Sequence, residues 1–251
     1  MKKIFLWIKY VFNLIVKTYW LNVLRLWRDV FAFFRDYKNY TSQNNNHKFK
    51  IWLNSLYPCL IDRTENTPLD YVYIYQDSWA IGKVLSIQPK QHYDIGSKVE
   101  MVGGIASCIP TIMIDIRKVA IALPWLNFLE WSILNLPLKN NTIESLSAVC
   151  VIEHIWLWRY WDPIDPFGSE KSFKEVKRVL KSWWHLIFSV PVDKKNTIYF
   201  NAHRAFTRDY IIELMDWFVL KEEKYIYGKE FIDKYSPNKW VGVWCYYFIK
   251  N

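Results

Sequence analysis

Glycine is the scarcest informative residue of this chain: 7 in 251 residues, where average usage of about 7% would give roughly 18. A fold with tight strand-to-helix turns is thus short of the residue that supplies positive φ. Cysteine is sparse too. Cys59, Cys108, Cys150 and Cys245 lie far apart with no CxxC pair, which argues against a zinc site or a disulfide framework and fits a reducing cytoplasm. There is no GxGxxG run, which argues against a pyrophosphate-binding dinucleotide site. No uncharged stretch approaches the roughly 18–20 residues that span a bilayer.

Tryptophan is abundant instead, with 15 residues. Nine of them, Trp125, Trp131, Trp156, Trp158, Trp161, Trp183, Trp184, Trp217 and Trp244, fall where the pattern calls for a turn, a helix end or a close backbone approach, the usual places of glycine. Two explanations stand open. Either UGA codons, read as glycine in some bacterial lineages, have been rendered as tryptophan, or the protein is truly tryptophan-rich.

At 52% hydrophobic the chain is long enough to bury one sizeable core. The net charge of +9 is uneven: residues 1–38 hold eight Lys and Arg against Asp29 and Asp36. Apolar residues at Ile4, Ile8, Val11, Ile15, Leu24, Val30, Phe31 and Phe34 recur at nearly helical spacing. The segment reads as a basic amphipathic helix, either lying on an anionic membrane surface or capping the rest of the chain. Thr41 to Asn46, TSQNNN, reads as a linker, so the expected organisation is a helical extension over residues 1–46 and a larger domain over 47–251. No nucleic-acid-binding motif accompanies the basic helix.

The larger segment alternates strands and helices. A helix is expected over Asp77–Ile87 and a strand over His92–Ile95, followed by the turn Asp94-Ile95-Gly96-Ser97. A second strand, Thr111–Ile114, ends in Asp115, 21 residues after Asp94. That is the spacing at which an acidic side chain receives the hydroxyls of a bound ribose. Asn127–Pro137 is expected to hold the third strand and the loop against an adenine, with Ser132 in the position usually taken by an acid. A fourth strand, Ser147–Ile152, delivers Glu153 and His154. A helix carrying Val176, Val179 and Leu180 then reaches the strand His185–Val190 through a turn at Ser182-Trp183-Trp184.

His154 is a candidate general base, with Glu153 orienting it and His203 as a rival. Arg159, Asp162 and Asp165 sit in a Pro-rich loop suited to a polar substrate. Asn201 and Arg204 follow the fifth strand, where an arginine suits a carboxylate or phosphate. Two aspartates alone are too few oxygen ligands for a hard cation, so no metal is expected.

The segments YPCLIDR, YQDSWA, HYDIGS, IDIR, SLSAVCVIEHI, RYWDPIDPFGS, RVLKSWW, FSVPV and FNAHRAF, in that order, resemble the bacterial family known as domain of unknown function 268. That family is a branch of the class I S-adenosylmethionine-dependent methyltransferase fold, and the resemblance spans about residues 55–250. It implies a Rossmann-like, mostly parallel α/β sheet of seven strands, and S-adenosylmethionine as cofactor. On that resemblance Asp94, Gly96, Ser97, Asp115 and Ser132 are the cofactor-binding residues. Members often lie near genes for surface polysaccharide synthesis, which implies O-methylation of a saccharide or related metabolite. The alternative is a non-catalytic partner in glycan assembly that keeps the fold.

Overall fold

A computed structural model describes residues 2–44, 48, 51, 56–60, 64–236, 239 and 242–251, with side chains from Val23 onward. The chain divides into two compact units, Met1–Pro68 and Leu69–Asn251. The expected domain boundary, at residues 46 and 47, lies outside the described residues.

In the first unit α1 runs from Lys2 to Gln43, a stretch with neither Gly nor Pro to break it. It takes in Thr41, Ser42 and Gln43, half of the expected linker. The Thr41 and Ser42 hydroxyls donate back to the carbonyls of Lys38 and Asn39, so these polar residues extend the helix by local bonds rather than ending it. Leu24, Trp27, Phe31 and Phe34 are all more than half exposed. Among the described residues no helix is long and apolar enough to cross a membrane.

The second unit is a Rossmann-like α/β fold. Its strands are β1 (His92–Ile95), β2 (Thr111–Asp115), β3 (Leu126–Glu130), β4 (Ile143–Val149), β5 (Leu180–Val192), β6 (Thr197–Tyr199), β7 (His203–Ala205), β8 (Phe218–Tyr227), β9 (Glu230–Ile232) and β10 (Gly242–Lys250). Eight of them form one sheet in the order β3-β2-β1-β4-β5-β10-β8-β9, while β6 and β7 pair separately. Strands β1 to β5 pair in parallel, and β10 lies antiparallel between β5 and β8. The expected seven strands are exceeded by the short edge strand β9, which folds back on β8.

Successive residues of the inner strands feed opposite faces. Met113 and Ile187 pack with Val84 of α2 (Tyr71–Ile87) and Met101 and Ile105 of α3 (Val99–Ala106). Their neighbours Ile114 and Phe188 pack with Phe173 and Val176 of α4 (Gly168–Val179) and Ile211 of α5 (Arg208–Leu214). The first helix begins six residues earlier than expected because Asp70 caps it, accepting from the Tyr73 N–H at 3.3 Å. The third strand starts one residue before the expected strand-and-loop segment, at Leu126, and gives way to the loop after Glu130.

The expected turn after α4 is absent as a turn. Strand β5 starts directly at Leu180, and the extra residues swell the β4–β5 ladder: Ile143 faces Leu180, yet Ser145 faces His185. Trp183 within this bulge has φ +69°. Four more of the nine tryptophans share that left-handed backbone, Trp125, Trp156, Trp158 and Trp161, with φ of 65°, 58°, 65° and 61°. Trp131, Trp184, Trp217 and Trp244 do not. Trp244 corrects the expectation outright. It lies in the middle of β10, fully buried, edge-on to Tyr225 and Tyr235 with ring centroids 4.9 Å away in both cases.

Candidate functional site

A parallel sheet presents ligands at the carboxyl ends of its strands, where the chain order reverses. Here that reversal falls between β1 and β4, and a cleft with a cavity volume of about 70 Å³ opens above it. Gly96 after β1, Asp115 and Arg117 after β2, Ser132 after β3, and Val151 and His154 after β4 line it. Tyr160 and Asp162 of the Pro-rich loop reach the same space.

The first turn closes tightly. Gly96 has φ +61°, and a Cβ there would stand 3.1 Å from Val151 Cγ1, so any side chain at this turn would be strained and would press on Val151. Asp115 is 9% exposed and accepts the Arg117 backbone N–H at 2.8 Å. Ser132 Oγ accepts from the Leu134 N–H at 3.2 Å.

Two predicted cofactor residues face elsewhere. The Asp94 carboxylate is fully buried. It accepts from Ser97 N–H at 3.0 Å, from Ser97 Oγ at 2.7 Å and from Ser147 Oγ. Ser97 Oγ accepts in turn from Val149 N–H at 2.9 Å. These bonds lace the turn to β4, which is a bracing role. Below them His92 lies between Ser145 Oγ at 2.8 Å and Ser147 Oγ at 2.9 Å. Burial pushes Asp94 up to about 6 and the His92 ring down to about 3.

On the other wall His154 Nδ1 lies 2.7 Å from Ala202 O. A carbonyl only accepts, so Nδ1 carries the proton and Nε2 keeps its lone pair. Nε2 stands 3.7 Å from Glu153 Oε1. Burial, then the neighbouring Arg159 guanidinium, holds the ring down to about 4. Glu153 is 1% exposed, and burial pushes its carboxyl up to about 8. At neutral pH the pair is an uncharged imidazole beside a protonated carboxylic acid. Glu153 Oε2 is buried without a hydrogen-bond partner, beneath the cleft rather than in its lining.

The remaining predicted residues divide. Asp162 stays at the cleft and accepts the Tyr160 N–H at 2.9 Å. His203 is half-buried with its ring 6.4 Å from that of His154, while Asn201 is exposed on the turn before β7. Asp165 pairs with Lys171 and accepts the Phe167 N–H at 2.8 Å, contacts that hold its carboxyl below the usual range. Arg204 is 5% exposed and donates to Ile155 O at 2.7 Å and Asp165 O at 2.7 Å. Both pin the loop to the strands. Tyr160 and Arg117 were not foreseen. The Arg117 guanidinium lies over the Tyr160 ring at 4.3 Å, and its place two residues past Asp115 was the available signal. Among the described residues no group of three or more metal-ligating side chains converges.

Residues 135–239 match the profile of the family described as "Caenorhabditis protein of unknown function, DUF268", a description that names no bacterial source. No curated protein matches the sequence. Among solved structures, the chain is similar to the N-methyltransferase NodS from Bradyrhizobium japonicum WM9 in complex with S-adenosylhomocysteine, at 13% identity over 77% of this chain and 91% of that one, with a TM-score of 0.53. A S-adenosylmethionine-dependent methyltransferase from Clostridium acetobutylicum matches at 12% over 71% and 92%, TM-score 0.51. The [4+2]-cyclase SpnF matches at 12% over 69% and 80%, TM-score 0.52. At these identities the likeness is one of fold.

Proposed function

We propose that this protein is an S-adenosylmethionine-dependent methyltransferase acting on an oxygen of a saccharide or related metabolite. One observation carries the reading: Gly96 and Asp115 on one wall, and His154 on the other, face a single cleft at the point where strand order reverses. The residues fit the cofactor. Asp115 would accept the ribose hydroxyls, Ser132 and the backbone after β3 would meet the adenine, and the close turn at Gly96 would admit the amino-acid end. Bound there, S-adenosylmethionine supplies an electrophilic methyl group on sulfonium sulfur. The protein's own part is to align an acceptor hydroxyl and receive its proton on His154 Nε2, with Glu153 behind it and His203 nearby.

Calorimetry with S-adenosylhomocysteine tests the site. The expected result is saturable binding that Asp115→Ala weakens at least tenfold; equal affinity of both proteins would sink the assignment. A second reading, a fold kept without methyl transfer, draws on Asp94 being turned into the sheet and on a cyclase sharing the architecture. Binding without turnover would favour it.

Two further proposals concern the chain itself. Positive φ at Trp125, Trp156, Trp158, Trp161 and Trp183 supports glycine at those positions in the natural protein, through UGA recoding. The exposed apolar side chains of α1, interleaved with Arg25, Arg28 and Arg35, support peripheral attachment to the inner face of an anionic membrane in a cytoplasmic setting.

A further inference from the structure

Five arginines lie in residues 69–251, and four are committed. Arg117 pairs with Asp115, Arg178 with Glu175 and Arg208 with Glu223, while Arg204 is spent on backbone carbonyls. Arg159 differs. Among the described residues it has no carboxylate within ion-pair distance. Its Nη1 donates to Ala202 O at 2.8 Å and lies 3.1 Å from His154 Nδ1. Its Nε and Nη2 make no hydrogen bond among the described residues, yet they form the edge of the guanidinium that offers two parallel N–H groups, the geometry that matches a carboxylate or phosphate.

The surroundings sharpen the point. Arg159 is exposed and touches the cleft residue His154, on the loop that carries the cleft residues Tyr160 and Asp162. His203 is close enough that the Arg159 charge helps lower its basicity, after burial. Glu153 keeps its proton at neutral pH, and the Asp162 carboxylate, which accepts the Tyr160 N–H, acts on His154 only through space. A cationic fork whose one occupied nitrogen is fixed by a carbonyl, with two imidazoles beside it, is built to receive an anion.

We propose that the acceptor carries an anionic group, a carboxylate or a phosphate monoester, and that Arg159, with His203 beside it, binds that group and so brings the reacting hydroxyl to His154. The inference rests on the methyl-transfer reading for the acceptor's place. It moves the anion-holding role from Arg204 to Arg159. It also has a chemical consequence: an anion on Arg159 offsets the positive charge that weakens His154 as a base, so a correct acceptor raises the basicity of the group that deprotonates it.

The test is an NMR titration of the full-length protein, following the histidine ring protons, with inorganic phosphate in one arm and acetate in the other at constant ionic strength. Each arm is run with and without S-adenosylhomocysteine. The expected result is a saturable shift at His154 and His203 in at least one arm, identifying the anion type. Arg159→Gln should weaken that binding at least tenfold, and Arg159→Lys, which keeps the charge, should retain most of it. Absence of a saturable shift, or equal anion affinity in Arg159→Gln, overturns the proposal. Failure of S-adenosylhomocysteine to bind would count against the cofactor reading alone, since the anion titration of the unloaded protein still gives its own answer.

Discussion

Replacing Trp125, Trp156, Trp158, Trp161 and Trp183 together by glycine should stabilise the protein. An L-residue held at left-handed φ costs roughly 1–2 kcal/mol, and glycine gives back roughly 0.5–1 kcal/mol through its freer unfolded chain. Little packing is lost, because Trp125, Trp158, Trp161 and Trp183 are 68%, 50%, 89% and 75% exposed. A net gain on the order of 0.5–1 kcal/mol per site gives roughly 3–5 kcal/mol over the five, comparable to a whole small domain's margin. At about 2–4 °C per kcal/mol for a unit of this size, the melting temperature should rise by roughly 6–20 °C. The assay is a pair of thermal melts followed by circular dichroism, with Trp244→Gly as the opposite control. Emptying that fully buried site should cost about 3–5 kcal/mol or more. If the five-site variant melts at or below the parent, the glycine reasoning fails. UGG codons at these positions in the gene would refute the recoding separately.

Glu153 predicts a pH dependence: its folded pKa, about 8, lies above the unfolded value. The stability that this group contributes is therefore fully present below about pH 4.5 and is lost at up to about 1.4 kcal/mol per pH unit as pH rises towards 8; Glu153→Gln should flatten the profile by that component in melts from pH 5 to 9, and identical profiles would contradict it. Arg204→Ala should cost about 2–4 kcal/mol by stranding the carbonyls of Ile155 and Asp165, whereas Arg159→Gln should move the melt by no more than about 0.5 kcal/mol; equal losses would refute the division of roles. Removing residues 1–38 should abolish cosedimentation with phosphatidylserine vesicles, to which each basic residue near the surface adds about 1 kcal/mol; undiminished binding would rule out attachment through α1.

Much of the sheet was legible because strand periodicity and position carry it. His92–Ile95 was read to the residue, and Thr111–Asp115 with its terminal acid nearly so. The cleft residues Gly96, Asp115, Ser132 and His154 follow from one rule, that strand ends meet at the reversal of order. What escaped was direction. Nothing in HYDIGS distinguishes an aspartate facing a ligand from one facing Ser147, because the partner lies 53 residues away. Arg204 looked like an anion binder for the same reason, since its carbonyl partners belong to a loop 38 to 49 residues upstream. The bulge at Trp183 was read as a turn because both need positive φ, and only the pairing of β4 separates them.

The buried trio beneath the cleft bears on how the chain finds its fold. Strands β1 and β4 are parallel and some fifty residues apart, and apolar strands of that kind have little to stop them from sliding along one another. His92 touches Ser145 and Ser147, the two β4 residues on its own side. A shift of one position would bring the ring against Leu146 and strand an uncapped imidazole in the core, at a cost of the order of 1–3 kcal/mol. The pair of serines thus acts as a key that admits a single alignment, and every cleft residue borne by the two strand ends inherits its height from that lock.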